Sequence, residues 1–298
     1  MDGRSARYSA LFLFVPAMYG LNLVIAKDVL ESVPPYALIF VTHGIGALLL
    51  LASRPFLGSP KIRRRDAARG IPVGLMIFLA SALQFTGLAD TTPARGALLT
   101  ILYVVIIPIA AMFARRKASA RPLLFGLMSL AGVAILSGAI GDGAPLSGGD
   151  ALVAAGAVFW ALQFLLLERY SPSMDPVNFT AVQLAAATAL SLAATLALEP
   201  GIHPAPASGS AWWIGLAFMG AVTIGLCFFI QTHVQSKIPA SVASVLCCTE
   251  SVFALAISAL TGGDEITLAL VAGAAVVTAA AALSAAFGQE GLIGGERG

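Results

Sequence analysis

Eight polar or aromatic residues stand inside long apolar runs, where each is costly to keep, and their types define the chemistry this chain could perform. Glu250 is the one acidic residue deep within a run, about ten residues and so roughly 15 Å from the nearer end. A carboxyl group there can contact an amine or change protonation during a cycle; equally, it can be a packing group satisfied by neighbouring Ser, Thr or backbone. Tyr19 with Asn22, and Trp160 with Gln163, are i, i+3 pairs that each share one helix face. Both aromatics lie near mid-depth rather than in the interfacial belts where Tyr and Trp are enriched. Such faces suit a pocket for an apolar or planar solute with one polar end, or they pack helices with their amides bonded to backbone. Tyr103 completes a stripe with Gly96 and Thr100 at i, i+4 and i+7, and Gln84 has the same standing: a solute path or a close helix contact. His43 could titrate near neutral pH and couple a cycle to protons, or serve as a neutral hydrogen-bonding group.

Other chemistries lack their residues. There is no H-E-x-x-H, no G-x-S-x-G, no pair of deep carboxylates and no nucleotide-binding P-loop. Cys227, Cys247 and Cys248 fall in apolar runs with no C-x-x-C, so neither a disulfide framework nor a zinc site is expected, and no cofactor is implied. The chain reads as a non-enzyme. A channel would need polar rings along a continuous pore, whereas these groups cluster near mid-depth. A net charge of +2 leaves no footprint for nucleic acid.

The elements that must position these residues follow from composition. Hydrophobic residues make up 58% of 298 and charged residues 11%, against about 25% charged in an ordinary globular chain. Such a chain belongs in a bilayer. A hydrocarbon core about 30 Å thick needs roughly 17 to 25 helical residues, and on that rule the chain divides into ten spans, TM1 to TM10. They lie near Ser9 to Ala26, Tyr36 to Ser53, Ile71 to Ala89, Gly96 to Ala114, Pro122 to Gly138, Ala151 to Leu167, Val177 to Leu198, Ala211 to Ile230, Ala240 to Leu260 and Thr267 to Phe287. The first run follows Arg4 and Arg7 without a convincing cleavage site and reads as a retained helix. Continuous Ala, Leu and Val runs lack the alternation of a β-barrel.

Lys and Arg set the orientation. With both termini inside, only Lys27 and Arg95 of the 17 lysines and arginines fall in outer segments. The inner ones include the cluster from Lys61 to Arg69, which topology or anionic lipid could explain, the group Arg115, Arg116, Lys117 and Arg121, and Arg297 at the tail. Asn178-Phe179-Thr180 is a glycosylation sequon on the inner side and should be unused. Gly70 to Gly74 has the G-x-x-x-G spacing, and Ser241, Ser244, Cys248 and Ser251 share one face of TM9; both read as packing surfaces.

Sliding the chain on itself matches Tyr19 with Trp160, Asn22 with Gln163 and Pro35 with Pro176 at an offset of 141, Ala111 with Ala254 at 143, and Gly126 with Gly273 at 147. Their common order suggests an all-α membrane fold of two five-helix repeats: residues 1–138, a connecting loop 139–150, residues 151–287, and a tail 288–298. Five is odd, so the second half enters the membrane inverted. Inverted repeats place a binding site near the midplane at their interface.

The ten-helix layout, Ala17-Met18-Tyr19-Gly20-Leu21-Asn22 in TM1, and the stretch from Cys248-Thr249-Glu250-Ser251-Val252-Phe253-Ala254 through Gly263-Asp264-Glu265-Ile266-Thr267 resemble the EamA-type transporters of the drug/metabolite transporter superfamily. Within it the chain is most similar to the bacterial aromatic amino-acid exporter branch. The family's usual Glu-Pro in TM9 reads Glu250-Ser251 here, and the acidic residue usual before TM5 is missing from Lys117-Ala118-Ser119. The resemblance implies a secondary transporter in the bacterial inner membrane, whose partners are the bilayer and a small solute. That solute would be an aromatic or other apolar amino acid, or, on a broader reading, drugs and metabolites in general. A monomer is compatible with this layout.

Overall fold

The computed structural model describes residues 3–30, 33–91, 93–114, 120–137, 145–199, 209–260 and 267–287. The Lys117 to Ser119 departure, Thr92, Arg115, Arg116, residues 139–144 of the expected 139–150 loop, the Gly263 to Ile266 motif and Arg297 lie outside them. Among the described residues the secondary structure is helical throughout. Eight helices are long and apolar enough to cross a bilayer, a ninth has the shorter apolar stretch Arg121–Leu136, and the N-terminal span is divided in two.

The spans run as follows. TM1 is Gly3–Phe12 with Phe14–Leu30, TM2 Pro35–Ser53, TM3 Arg64–Leu88, and TM4 Pro93–Thr100 with Tyr103–Ala114. TM5 is Arg121–Ser137, TM6 Gly148–Tyr170 and TM7 Pro176–Leu198. TM8 joins Gly209–Phe218, a π-helical Met219–Leu226 and Cys227–Gln235; TM9 is Ala240–Cys247 with Glu250–Leu260, and TM10 is Leu268–Phe287. TM1 parts at Leu13 for a local reason: Pro16 cannot donate to Phe12, and its ring crowds that carbonyl.

Several expectations need correction. TM1 extends several residues past Ser9 to Ala26 at both ends, TM3 begins at Arg64 rather than Ile71, and TM8 runs on to Gln235 rather than ending at Ile230. TM4 and TM9 are broken, at Ile101-Leu102 and Cys248-Thr249, where i to i+3 bonds such as Val104 N to Ile101 O (2.9 Å) and Val252 N to Thr249 O (3.0 Å) replace the α ladder. The supposed stripe of Gly96, Thr100 and Tyr103 therefore does not run along one continuous helix, and neither does the serine face of TM9. No proline or glycine stands at either break; what they share is their place in the repeat, 147 residues apart, and at that offset the expected match of Ala111 with Ala254 does not hold.

Contacts between the halves follow the same exchange. TM2 packs antiparallel on TM7: Gly44 faces Thr188 while Gly46 faces Leu184. TM5 packs antiparallel on TM10, where a Cβ on Gly132 would meet Val277 N at 3.0 Å and one on Gly273 would meet Leu136 N at 2.9 Å. TM3 lies on TM6 and TM7, as TM8 lies on TM1 and TM2; TM4 lies on TM6, as TM9 lies on TM1. The fold is thus ten spans in two inverted five-helix repeats.

Glycine makes these approaches possible, since association in lipid depends on close packing of small residues. The Gly70 to Gly74 pair is the TM3 contact with TM7: Gly70 meets the Val182 side chain, and a Cβ on Gly74 would collide with the Gln183 carbonyl. Leu48, Ile71, Leu196 and Ile214 face outward, where hydrocarbon rather than water suits them.

Polar ties close the ends of TM2 and TM7. Both Glu199 carboxylate oxygens accept from the first turn of TM2, Tyr36 N and Ala37 N, each at 3.0 Å. At the opposite end Arg54 Nε donates to Asn178 Oδ1 (2.6 Å), and Asn178 Nδ2 donates to Pro60 O (2.8 Å). Asn178 is fully buried, so its sequon is not available for glycosylation.

Candidate functional site

Two buried apolar cores meet inside the bundle, one built around TM4, TM8, TM9 and TM10, the other around TM2, TM3 and TM7. Tyr19 and Trp160 are half-buried and pack against both. The ring between them is one that the sequence reading did not single out. Phe228 of TM8, 2% exposed, has ring centroids 6.5 Å from Tyr19, 6.4 Å from Trp160 and 6.2 Å from His43. These separations are within the range of favourable aromatic contact. TM1, TM2, TM6 and TM8 thus converge on one aromatic cluster.

Phe228 stands two residues past the π-helical Met219–Leu226, in the first turn of the α-helix that continues it. That segment leans on TM2 through Gly220 and Gly225; a Cβ on Gly220 would lie 2.6 Å from Ile45 Cβ. A π segment holds more residues per turn than an α-helix, so it sets the direction in which Phe228 points.

Polar groups are fixed around this cluster. Trp160 Nε1 donates to Gln84 Oε1 at 2.9 Å, which holds the indole against TM3. Gln84 thus touches Trp160 from TM3, and Phe228 touches both Trp160 and Tyr19 from TM8. Nothing in the sequence marks Phe228 among the apolar residues of TM8.

His43 is 2% exposed, and its Nδ1 lies 2.9 Å from Ile39 O. A carbonyl can only accept, so Nδ1 carries the hydrogen and Nε2 is an acceptor; it is buried without a hydrogen-bond partner. Asn22 Oδ1 is also buried without a partner. Trp160 and Gln163 both face TM8, where they meet Phe228 and Gln231, also three apart. Gln231 and Gln235 lie past Ile230, the expected end of TM8, because the helix runs on to Gln235; buried Gln183, both of whose amide atoms lack partners, was visible as an amide inside the apolar run of TM7.

Tyr103 sits apart from the cluster. It is 6% exposed and stacks on Phe164 of TM6 with centroids 5.3 Å apart. Thr100 spends its hydroxyl on Gly96 O of its own helix (2.8 Å), and Gly96 packs against Leu88 of TM3. Glu250 opens the second helical piece of TM9 and lies against TM1, where a Cβ on Gly20 would be 2.9 Å from Glu250 O. Among the described residues no three His, Cys, Asp or Glu gather at metal-binding distance.

At one end of the bundle Asp150 ties TM6 to TM4 and to the turn that precedes TM4. It pairs with Arg95 (3.1 Å), accepts from the Thr91 hydroxyl, and closes a capping box with Ser147. At the other end Glu168 Oε2 of TM6 accepts from Ala240 N of TM9 at 3.2 Å.

A model described as the EamA-like transporter family matches residues 7–138 and again residues 147–286. A solved structure, described only as "Crystal structure of protein", matches with a TM-score of 0.79 and 22% identity over 93% of this chain and 97% of that chain. That identity speaks for the fold alone. No curated protein matches the chain.

Proposed function

Because this chain belongs to the EamA-like transporter family, we propose that it carries an aromatic or other apolar amino acid outward by alternating access, with the solute seated between TM1 and TM6. The observation that carries this reading is the pair Tyr19 and Trp160: matched in the two halves, half-buried, and joined through Phe228 at the seam of both cores. A planar apolar solute is the ligand such rings bind best. The solute class and the direction come from the resemblance to the aromatic amino-acid exporter branch.

In this scheme Gln84 holds the Trp160 indole, Asn22 and Gln163 take the polar end of the solute, and Glu250 and His43 are the groups for amine contact or proton coupling. Tyr103 braces TM4 on TM6 beside them. The protein would lie in the bacterial inner membrane with both termini in the cytoplasm, which the Lys and Arg distribution supports. Residues 1–138 and 151–287 would be the rocking halves, joined by 139–150 and followed by a tail at 288–298.

Counterflow of labelled phenylalanine into liposomes holding the purified protein and excess unlabelled phenylalanine tests this. Saturable exchange that Trp160→Ala weakens more than it lowers the amount of folded protein supports it. Lack of exchange across a set of aromatic and aliphatic amino acids would overturn the solute class and leave the transporter fold untouched.

A further inference from the structure

Gln163, Gln231 and Gln235 form a ladder of buried amides between TM6 and TM8, and its hydrogen-bond direction is fixed from one end. The carbonyl of Phe164 can only accept, so Gln235 must turn its Nε2 to it (3.3 Å). The Oε1 of Gln235 then faces Gln231, whose Nε2 donates to it at 3.1 Å. The same Nε2 has a second hydrogen, which it gives to Oε1 of Gln163 at 3.2 Å. Gln163 is held by its carbonyl end. Its Nε2 is left buried with no hydrogen-bond partner in the protein. Rotating the amide would set donor against donor at Gln231, so the ladder enforces this orientation. An unmet buried donor ordinarily costs stability, and three residues cooperate here to keep one.

The repeat mate of Gln163 is Asn22, whose buried unpartnered atom is Oδ1, an acceptor. The two matched positions therefore offer opposite polarity: a donor on TM6 and an acceptor on TM1. Glu250 adds a carboxyl on the acceptor side, since its segment packs on TM1 at Gly20.

We propose that Gln163 Nε2 donates to the carboxylate of a zwitterionic solute while Asn22 Oδ1 accepts from its ammonium group, and that Gln231 and Gln235 are positioning residues that fix this polarity. The proposal rests on the solute lying between TM1 and TM6, and adds its orientation: carboxylate toward TM6 and TM8, ammonium toward TM1 and TM9. A site built around hydrogen bonds to a solute group rejects an analogue that lacks the group, because its own polar atoms are left unpaired.

The test is exchange against internal phenylalanine of three solutes that share one phenyl ring. These are phenylalanine, phenethylamine without the carboxylate, and 3-phenylpropionate without the ammonium. The intact protein should exchange phenylalanine at least about tenfold better than phenethylamine. Gln163→Glu keeps the acceptor for Gln231 and replaces the donor by an oxygen, so it should reverse that order. Gln235→Met cuts the ladder without touching Gln163 and should bring the phenylalanine to phenethylamine ratio close to one, at unchanged amounts of folded protein. Asn22→Leu should lower exchange of phenylalanine and spare 3-phenylpropionate.

Equal exchange of phenylalanine and phenethylamine by the intact protein overturns the proposal. So does a wild-type order of solutes in both Gln163→Glu and Gln235→Met. Absence of exchange with all three solutes brings down the aromatic-solute reading, and this one with it.

Discussion

Tyr103 and Glu250 occupy the same point in the two halves: each is the first residue of the second helical piece of a broken span, 147 residues apart. One half places a phenol there, stacked on Phe164; the other places a carboxyl there, against the backbone of TM1. Broken helices in inverted-repeat transporters commonly face the substrate or coupling ion, because their free ends carry partial charge. The symmetry of the fold is thus kept by the backbone and abandoned by the chemistry.

Glu250→Gln preserves the shape and removes the charge. Exchange rates measured across a range of pH should lose their pH dependence in this variant, with phenylalanine affinity also reduced. An unaltered rate and an unaltered pH profile together would reduce Glu250 to a packing group.

Phe228→Ala should be at least as damaging as either of its neighbours, because it removes the ring that Tyr19, His43 and Trp160 share. Truncating a buried aromatic costs about 3–5 kcal/mol in a core. Part of that will appear as a lower Tm in detergent. The remainder should appear as weaker aromatic exchange per folded molecule, and Phe228→Leu should restore the Tm more fully than the exchange.

Gln84→Leu leaves the indole of Trp160 without its acceptor. A net loss of about 1 kcal/mol is expected, or roughly fivefold in apparent affinity, with a red or blue displacement of the Trp160 emission in a protein whose other tryptophans are replaced by Phe. Emission and affinity both unchanged would show that the bond does not hold the ring.

Gly74→Leu should be the most destructive single change outside the site. Its Cβ would enter the space of the Gln183 carbonyl and lie 2.7 Å from Ala186 Cβ, so TM3 would have to leave TM7. Overpacking typically costs about 1–3 kcal/mol, and a backbone obstacle cannot relax as a side chain can. Expression with a fluorescent fusion and size-exclusion chromatography would show loss of the monodisperse peak.

Reporter fusions after Arg69 should be cytoplasmic and fusions near Leu146 external. The inverse pattern would reverse the orientation inferred from Lys and Arg.

Much of the fold was legible because the bilayer makes span length and residue type informative. Five odd helices and the match of Tyr19 with Trp160 announced the inversion before any contact was seen. The breaks in TM4 and TM9 were not legible: their apolar runs are continuous, and no proline or glycine stands at Ile101-Leu102 or Cys248-Thr249 to announce them. Of the site, the aromatic pair was readable from the repeat, whereas Phe228 looked like any apolar residue until the π turn of TM8 aimed it. The partners of Gln84 and Gln163 are 76 and 68 residues away, and spacing within one helix cannot reveal them.

Glu199 caps the first turn of TM2 from a position 163 residues downstream of Tyr36. During synthesis at roughly 5–20 residues per second, TM2 would wait on the order of ten to thirty seconds for the carboxylate that completes it. Until TM7 emerges, the nascent first half must keep those amides at the headgroup level, hydrated or held by the insertion machinery. The second half owes a similar debt to Arg54, already made and waiting for Asn178. A ribosome stalled between TM2 and TM7 would therefore leave a half-protein whose TM2 end is open.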